Sequence, residues 1–126
     1  MTSEAERWKK RAAYDMSAAQ ALLEAEVLLY VPFCCQQAVE KMLKARIIEL
    51  TGEMAPKIHP LLRLAELARI ELTSSQAETF EQLSLYYIYS RYPMRSEIWE
   101  KTFTVEAARN LLAATQEIIS WLNSMR

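Results

Sequence analysis

The sequence predicts an all-α fold: an antiparallel up-and-down helical bundle of four long helices plus one short helix. Three observations predict it. One glycine, Gly52, and four prolines, Pro32, Pro56, Pro60 and Pro93, are all that interrupt 126 residues, so the chain has few places to turn. Apolar residues make up 52% of the chain, enough for a core, and they recur in steps of three and four. Capping signals stand at the starts of those periodic segments. The connections are short, which makes sequential helices antiparallel neighbours. At this length residues 1–126 read as a single domain.

The first helix is expected to start at Ser3, where Ser3-Glu4-Ala5-Glu6 fits a capping box. Its stripe runs Trp8, Ala12, Met16, Ala19, Leu23, Val27 and Tyr30, and Pro32 ends it by pushing the preceding residue out of the helical region. Pro32 also suits the first turn of the second helix, about Phe33 to Leu50, which Gly52 closes as a left-handed cap. After a loop from Glu53 to Ile58, His59-Pro60 opens a short helix from Leu61 to Leu72, with Leu61, Leu64, Ala65 and Ala68 on one face. Ser75-Gln76-Ala77-Glu78 reads as a second capping box. The helix it starts carries Phe80, Leu83, Tyr87 and Arg91 on one stripe and breaks at Tyr92-Pro93. The residues through Phe103 read as a loop. Thr104 then caps the last helix, whose stripe is Val105, Ala108, Leu112, Thr115, Ile119 and Leu122.

Composition excludes several functions. The net charge of −1 lacks the basic excess of a general nucleic-acid binder, so any such contact is local. The adjacent pair Cys34-Cys35 rules out a secreted disulfide scaffold and reads as two small residues packed in a helix. Met1-Thr2-Ser3-Glu4 does not resemble a signal peptide, and no stretch approaches the roughly 20 apolar residues of a membrane span, so no membrane association and a cytoplasmic location are expected. One histidine without a cysteine or acidic cluster makes no metal site, and one glycine makes no phosphate loop; no cofactor is expected.

Polar residues on buried stripes are the candidate site. Asp15 lies two turns after Trp8, and Gln37, Lys41 and Lys44 border the apolar face of the second helix. Arg91 follows Tyr87 by one turn, and His59 opens the third helix. Reflection about a turn at Pro32 sets Lys44 beside Ala19. Reflection about Ser75 sets His59 opposite Arg91. One end of the bundle then collects Asp15, Lys44, His59, Tyr87 and Arg91 as a ligand site, near the anion-favouring start of the last helix. The plain alternative pairs Asp15 with a cation, leaves Glu40 and Lys44 as a surface ion pair and gives His59 no chemistry. Tyr86, Ile88 and Tyr89 cannot share the core face of Leu83 and Tyr87. With Tyr92 and Trp99 they form an aromatic patch that predicts a homodimer, unless the following loop folds over it.

Trp8 with Ala12, Asp15 and Ala19, the run Phe33-Cys34-Cys35-Gln36-Gln37-Ala38-Val39-Glu40-Lys41-Met42-Leu43-Lys44-Ala45, His59 with Leu61 and Leu62, and Tyr87 with Arg91-Tyr92-Pro93 together resemble the HEPN domain family. The resemblance implies a bundle of four or five helices, frequently dimeric, often working beside a small nucleotidyltransferase in a toxin–antitoxin or defence pair. It also implies a metal-independent ribonuclease where an arginine is followed four to six residues later by histidine. Here Arg91 is followed by Tyr92, Pro93, Met94, Arg95, Ser96, Glu97 and Ile98, with no histidine. The reading is therefore a non-catalytic module that binds a partner protein, a nucleotidyltransferase, and a nucleotide or RNA phosphate near Arg91. The alternatives are a ribonuclease that uses Arg91 with His59, and a purely structural homo-oligomer.

Overall fold

The computed structural model describes residues 3–125; the reading of the first residues as no signal peptide rests partly on Met1 and Thr2, outside that range. The described chain forms six α-helices: α1 Glu4–Glu24, α2 Val31–Thr51, α3 Leu61–Leu67, α4 Ser74–Arg91, α5 Glu97–Thr102 and α6 Val105–Asn123. Two single 3₁₀ turns, Leu28–Tyr30 and Pro93–Arg95, lie between them. The fold is the all-α bundle expected, with α1, α2, α4 and α6 as its long helices. No helix is long and apolar enough to cross a membrane among the described residues.

The bundle is built around α2, which packs against α1, α6, α4 and α3. Twelve of its 21 residues are buried, so it shows apolar residues on nearly every side rather than one stripe. On α1 the buried residues are Ala5, Ala12, Ala19 and Leu23, and three alanines in that row let the two helix axes approach closely. On α6 they are Ala108, Leu111, Leu112, Thr115, Ile118 and Leu122. Phe80 and Leu83 anchor α4, and Leu61, Leu64 and Ala65 anchor α3.

Two helices end earlier than the sequence suggests, for one physical reason. α1 stops at Glu24, not at Pro32, because Glu26 takes the left-handed conformation at φ 58°. Its N–H bonds to Leu23 O at 3.0 Å and that of Val27 to Leu22 O at 2.9 Å, the paired bonds of a Schellman ending. α3 stops at Leu67, not Leu72, in the same way. Arg69 has φ 56°, with Arg69 N–H to Glu66 O and Ile70 N–H to Ala65 O, both at 3.0 Å. Neither ending uses glycine, the residue that signals such a cap. The expected glycine cap does form at Gly52, φ 71°.

The early end of α1 moves the hairpin. Lys9–Glu49, Asp15–Lys41 and Trp8–Lys44 all face each other across α1 and α2, which places the pivot near Leu28. Lys44 therefore lies at Trp8, not at Ala19, a shift of about three helical turns along α1. At α4 the capping box is Thr73 with Gln76, two residues before the one expected. Gln76 N–H donates to Thr73 Oγ1 at 3.1 Å, and Thr73 N–H donates to Gln76 Oε1 at 2.9 Å. The expected loop before the last helix holds α5. Its Trp99 packs on Tyr86 and on Tyr89 at 5.6 Å, and Phe103 lies 5.4 Å from Tyr86. The aromatic patch is thus largely covered from within, and Tyr92, Met94, Ile98, Ile88 and Leu85 are the exposed apolar residues there.

Candidate functional site

Gln36, Glu40 and Lys44 recur every four residues along α2, so their side chains stack on one face. That face is closed over, and all three residues are buried. The Glu40 carboxylate is the hub. It accepts from Gln36 Nε2 at 3.0 Å, from Lys44 Nζ at 3.0 Å and from His59 Nδ1 at 3.0 and 3.1 Å. Gln37 Nε2 extends the chain by donating to Gln36 Oε1 at 2.9 Å. The Lys44 ammonium also lies 5.5 Å from the Trp8 ring centroid, where the electron-rich ring face supplements the carboxylate. A charge taken out of water needs such a set of partners.

A carboxylate only accepts, so His59 Nδ1 carries the proton of that bond, and in the neutral ring Nε2 keeps its lone pair. The His59 side chain is 61% exposed although its partner is buried. Asp15 and Lys41 pair beside this network, each side chain largely withdrawn from solvent at 17% exposed, with α1 supplying the acid and α2 the base.

Tyr87 and Arg91 form a second group, from α4. Tyr87 stacks on Phe33 of α2 at 5.6 Å with the rings 10° from parallel. Arg91 donates from Nη1 to Tyr87 Oη, and its guanidinium lies 5.2 Å from the Tyr87 ring and 6.0 Å from the Tyr92 ring. Arg91 is exposed, and among the described residues no carboxylate pairs with it.

The five residues singled out from sequence therefore fall into linked groups along α2. Lys44 and His59 meet at Glu40, Asp15 pairs with Lys41 one residue on, and Arg91 bonds to Tyr87, which stacks on Phe33. Phe33 and Glu40 are seven residues apart, about 10 Å of helix rise, and no hydrogen bond joins His59 to Arg91. The expectation that Glu40 and Lys44 form a plain surface pair is corrected: their side chains are 5% and 6% exposed. Glu40 itself, Gln36, Phe33 and Trp8 were not among the expected site residues. The four-residue recurrence of Gln36, Glu40 and Lys44 within an apolar helix is the signal that finds the hub and its two neighbours on α2.

The two thiols are held protonated at neutral pH. Burial, reinforced by the Asp15 charge and opposed by Lys41, raises Cys34 above its usual range. Burial pushes Cys35 up to about 12, against a bond with Thr115 that lowers it. A nucleophile or a metal ligand would need the thiolate. Among the described residues no group of three or more His, Cys, Asp or Glu is placed to hold a metal ion.

The profile of the HEPN domain matches residues 5–125 of the chain. The crystal structure of TT1696 from Thermus thermophilus is similar to this fold, with a TM-score of 0.74 and 23% identity over 98% of each chain. At that identity the likeness is one of fold. No curated protein matches the chain.

Proposed function

The chain belongs to the HEPN domain family, and on that premise we propose that it is a non-catalytic cytoplasmic module that binds a nucleotide or RNA phosphate at Arg91 and a nucleotidyltransferase as its protein partner, in a toxin–antitoxin or defence-type pair. Arg91 carries the ligand half of this reading. Its charge is exposed and not neutralised by a carboxylate among the described residues, and Tyr87 Oη together with two aromatic rings holds the guanidinium in place. A preset guanidinium loses little freedom on meeting a phosphate and presents a forked set of donors to it. Tyr92, 54% exposed beside it, offers a ring face for a base.

The non-catalytic half rests on connectivity. An active Arg–His pair of the family sits on one short segment, which fixes their spacing. Here the chain's one histidine enters on the segment before α3 and bonds to Glu40. A competing reading has one observation in its favour. The Glu40–His59 contact orients an exposed imidazole with a free Nε2, the arrangement of a general base backed by a carboxylate. These readings separate in one experiment. Calorimetric titration with ATP, and incubation with a long RNA in EDTA, are run on the wild type, Arg91→Ala and His59→Ala. The expected result is nucleotide binding that Arg91→Ala weakens about 10- to 100-fold, the scale of a charge-assisted hydrogen bond of about 1.5–3 kcal/mol, with no cleavage by any of the three. Cleavage abolished by both substitutions would install the ribonuclease, and indifference of binding to Arg91 would remove the phosphate site.

The proposal extends to protein partners. Met94 and Ile98 are 95% and 81% exposed on the segment between α4 and α6, a costly pair to leave in water, and a second copy of the chain is the proposed cover. Affinity purification from the native cell, followed by mass spectrometry and sedimentation, is expected to yield a homodimer together with a nucleotidyltransferase. A monomer at tens of micromolar, purified alone, would count against both.

A further inference from the structure

The segment Pro93–Phe103, which holds α5, is tied to the bundle by few groups. Ser96, Trp99 and Phe103 are its buried residues, and the rest are exposed. Ser96 turns back on its own segment, its Oγ donating to Pro93 O at 3.2 Å. The anchors are therefore two rings. Trp99 packs at 5.6 Å on both Tyr86 and Tyr89, and Phe103 lies 5.4 Å from Tyr86 and 5.1 Å from Trp99. The hydrogen bonds stay inside the segment. Lys101 donates to Glu97 and Thr102 to Ile98, while the Glu100 and Phe103 N–H groups donate to Ser96 O and Trp99 O, both at 2.8 Å. Among the described residues its one hydrogen bond to the chain outside runs from Arg95 N–H to Tyr92 O, the residue next to its start.

The larger anchor carries a penalty. Trp99 Nε1–H is enclosed and has no acceptor among the described residues. A donor left so destabilises the closed position, and it regains water when the ring moves out. Both ends of the segment permit a swing. Tyr92, at φ −126° and ψ 85°, has already left α4, and Pro93 has no N–H with which to continue that helix. Phe103, at φ −78° and ψ 104°, is extended and separates α5 from α6. Neither long helix has to unwind for α5 to move.

We propose that Pro93–Phe103 is a hinged strap that opens from α4 as one unit, withdrawing Trp99 and Phe103 from Tyr86 and Tyr89. Closed, the strap covers the aromatic face of α4. Open, it uncovers that face beside Leu85, which is exposed one turn before Tyr89. Apolar packing suits such a device. It is not directional, so two rings can leave and return without rebuilding a hydrogen-bond network. The competing arrangement makes Trp99 an inseparable part of the core, released only when the whole domain unfolds. The strap does not depend on what Arg91 binds.

Native-state hydrogen exchange of the wild-type protein at low urea concentrations tests the strap, with the Glu100 and Phe103 N–H groups as reporters. Both are expected to be protected by a common factor with the same dependence on urea. That factor should be at least about a hundredfold smaller than those of the α2 and α6 amides. Exchange of both only together with α2 overturns the strap, and so does exchange at the rate of an unfolded chain. Factors that differ between the two by more than about tenfold also overturn it, because they mark fraying from one end and not a unit.

Trp99→Ala supplies an independent check. The substitution destabilises the closed position alone, because the open one has already released the ring. The folding equilibrium constant from urea unfolding is therefore expected to fall by no more than the wild-type protection factor of Glu100. Glu100 and Phe103 should lose their protection, while the amides of α1, α2 and α6 keep theirs to within that same factor. A larger fall, or a variant that does not fold, places Trp99 in the core of the whole domain and overturns the strap. Unchanged protection of Glu100 and Phe103 overturns it as well, by showing that the ring is not the anchor.

Discussion

Glu40→Ala is expected to destabilise the fold by about 3–5 kcal/mol, the usual cost of removing one partner of a buried ion pair. The Glu40 and Lys44 side chains are 5% and 6% exposed, so neither charge has water to fall back on. Without the carboxylate, the Lys44 ammonium keeps only the Trp8 ring face, and the Gln36 amide loses its acceptor. His59 adds little to this cost, because its own side chain is 61% exposed and regains water. The double replacement Glu40→Leu with Lys44→Met is expected to recover most of the loss, since two apolar side chains of similar volume leave no orphaned charge. Urea unfolding midpoints, compared at equal slope, measure both. A Glu40→Ala protein within about 1 kcal/mol of the wild type would mean that water reaches the hub and that the network is not buried as described.

Phe80→Ala is the second large effect, about 3–5 kcal/mol for a fully enclosed phenylalanine. Phe80 is 0% exposed, and it shares the anchorage of α4 with one other buried side chain, Leu83. A helix held by so few apolar groups depends strongly on each, because packing rather than propensity supplies most helical stability. Against a typical total of about 5–15 kcal/mol, the loss leaves the domain close to marginal. The effect should also reach the candidate site, because α4 carries Tyr87 and Arg91. Hydrogen exchange is expected to speed up in α4 more than in α1 or α6. A midpoint change equivalent to less than about 1 kcal/mol would show that the surroundings collapse into the space.

Local chemistry accounts for what could be read along the chain. Ser3 and Thr104 cap α1 and α6, and Gly52 closes α2, each by a bond within four residues of itself. Leu61, Leu64, Ala65 and Ala68 are buried as their spacing requires, and so are Ala108, Leu112, Thr115 and Leu122, while Val105 and Ile119 of the same stripe are half-buried. The resemblance to HEPN domains was carried by other residues, chiefly the Phe33 to Ala45 run and Arg91-Tyr92-Pro93, and residues 5–125 match that family.

What failed did so where the signal was ambiguous or absent. Two left-handed positions were taken by Glu26 and Arg69, which carry no glycine mark. The capping pattern occurs at both Thr73 and Ser75, and a hydroxyl followed three residues later by glutamine or glutamate cannot by itself choose between them. α5 has six residues, too few for a period to show, and it forms because Trp99 finds Tyr86 and Tyr89.

The sequence by itself determined the helical class, the long helices, half of their ends and the family, because each depends largely on interactions a few residues apart. Only the tertiary structure decided which polar groups meet. An ending at Glu24 instead of Pro32 moved the α1–α2 pivot to about Leu28 and brought Lys44 to Trp8 and Asp15 to Lys41. It also decided that Glu40 is buried, and so made it the group on which Gln36, Lys44 and His59 converge. Burial is a property of what packs against a face, and a helix read alone does not say which of its faces will be covered.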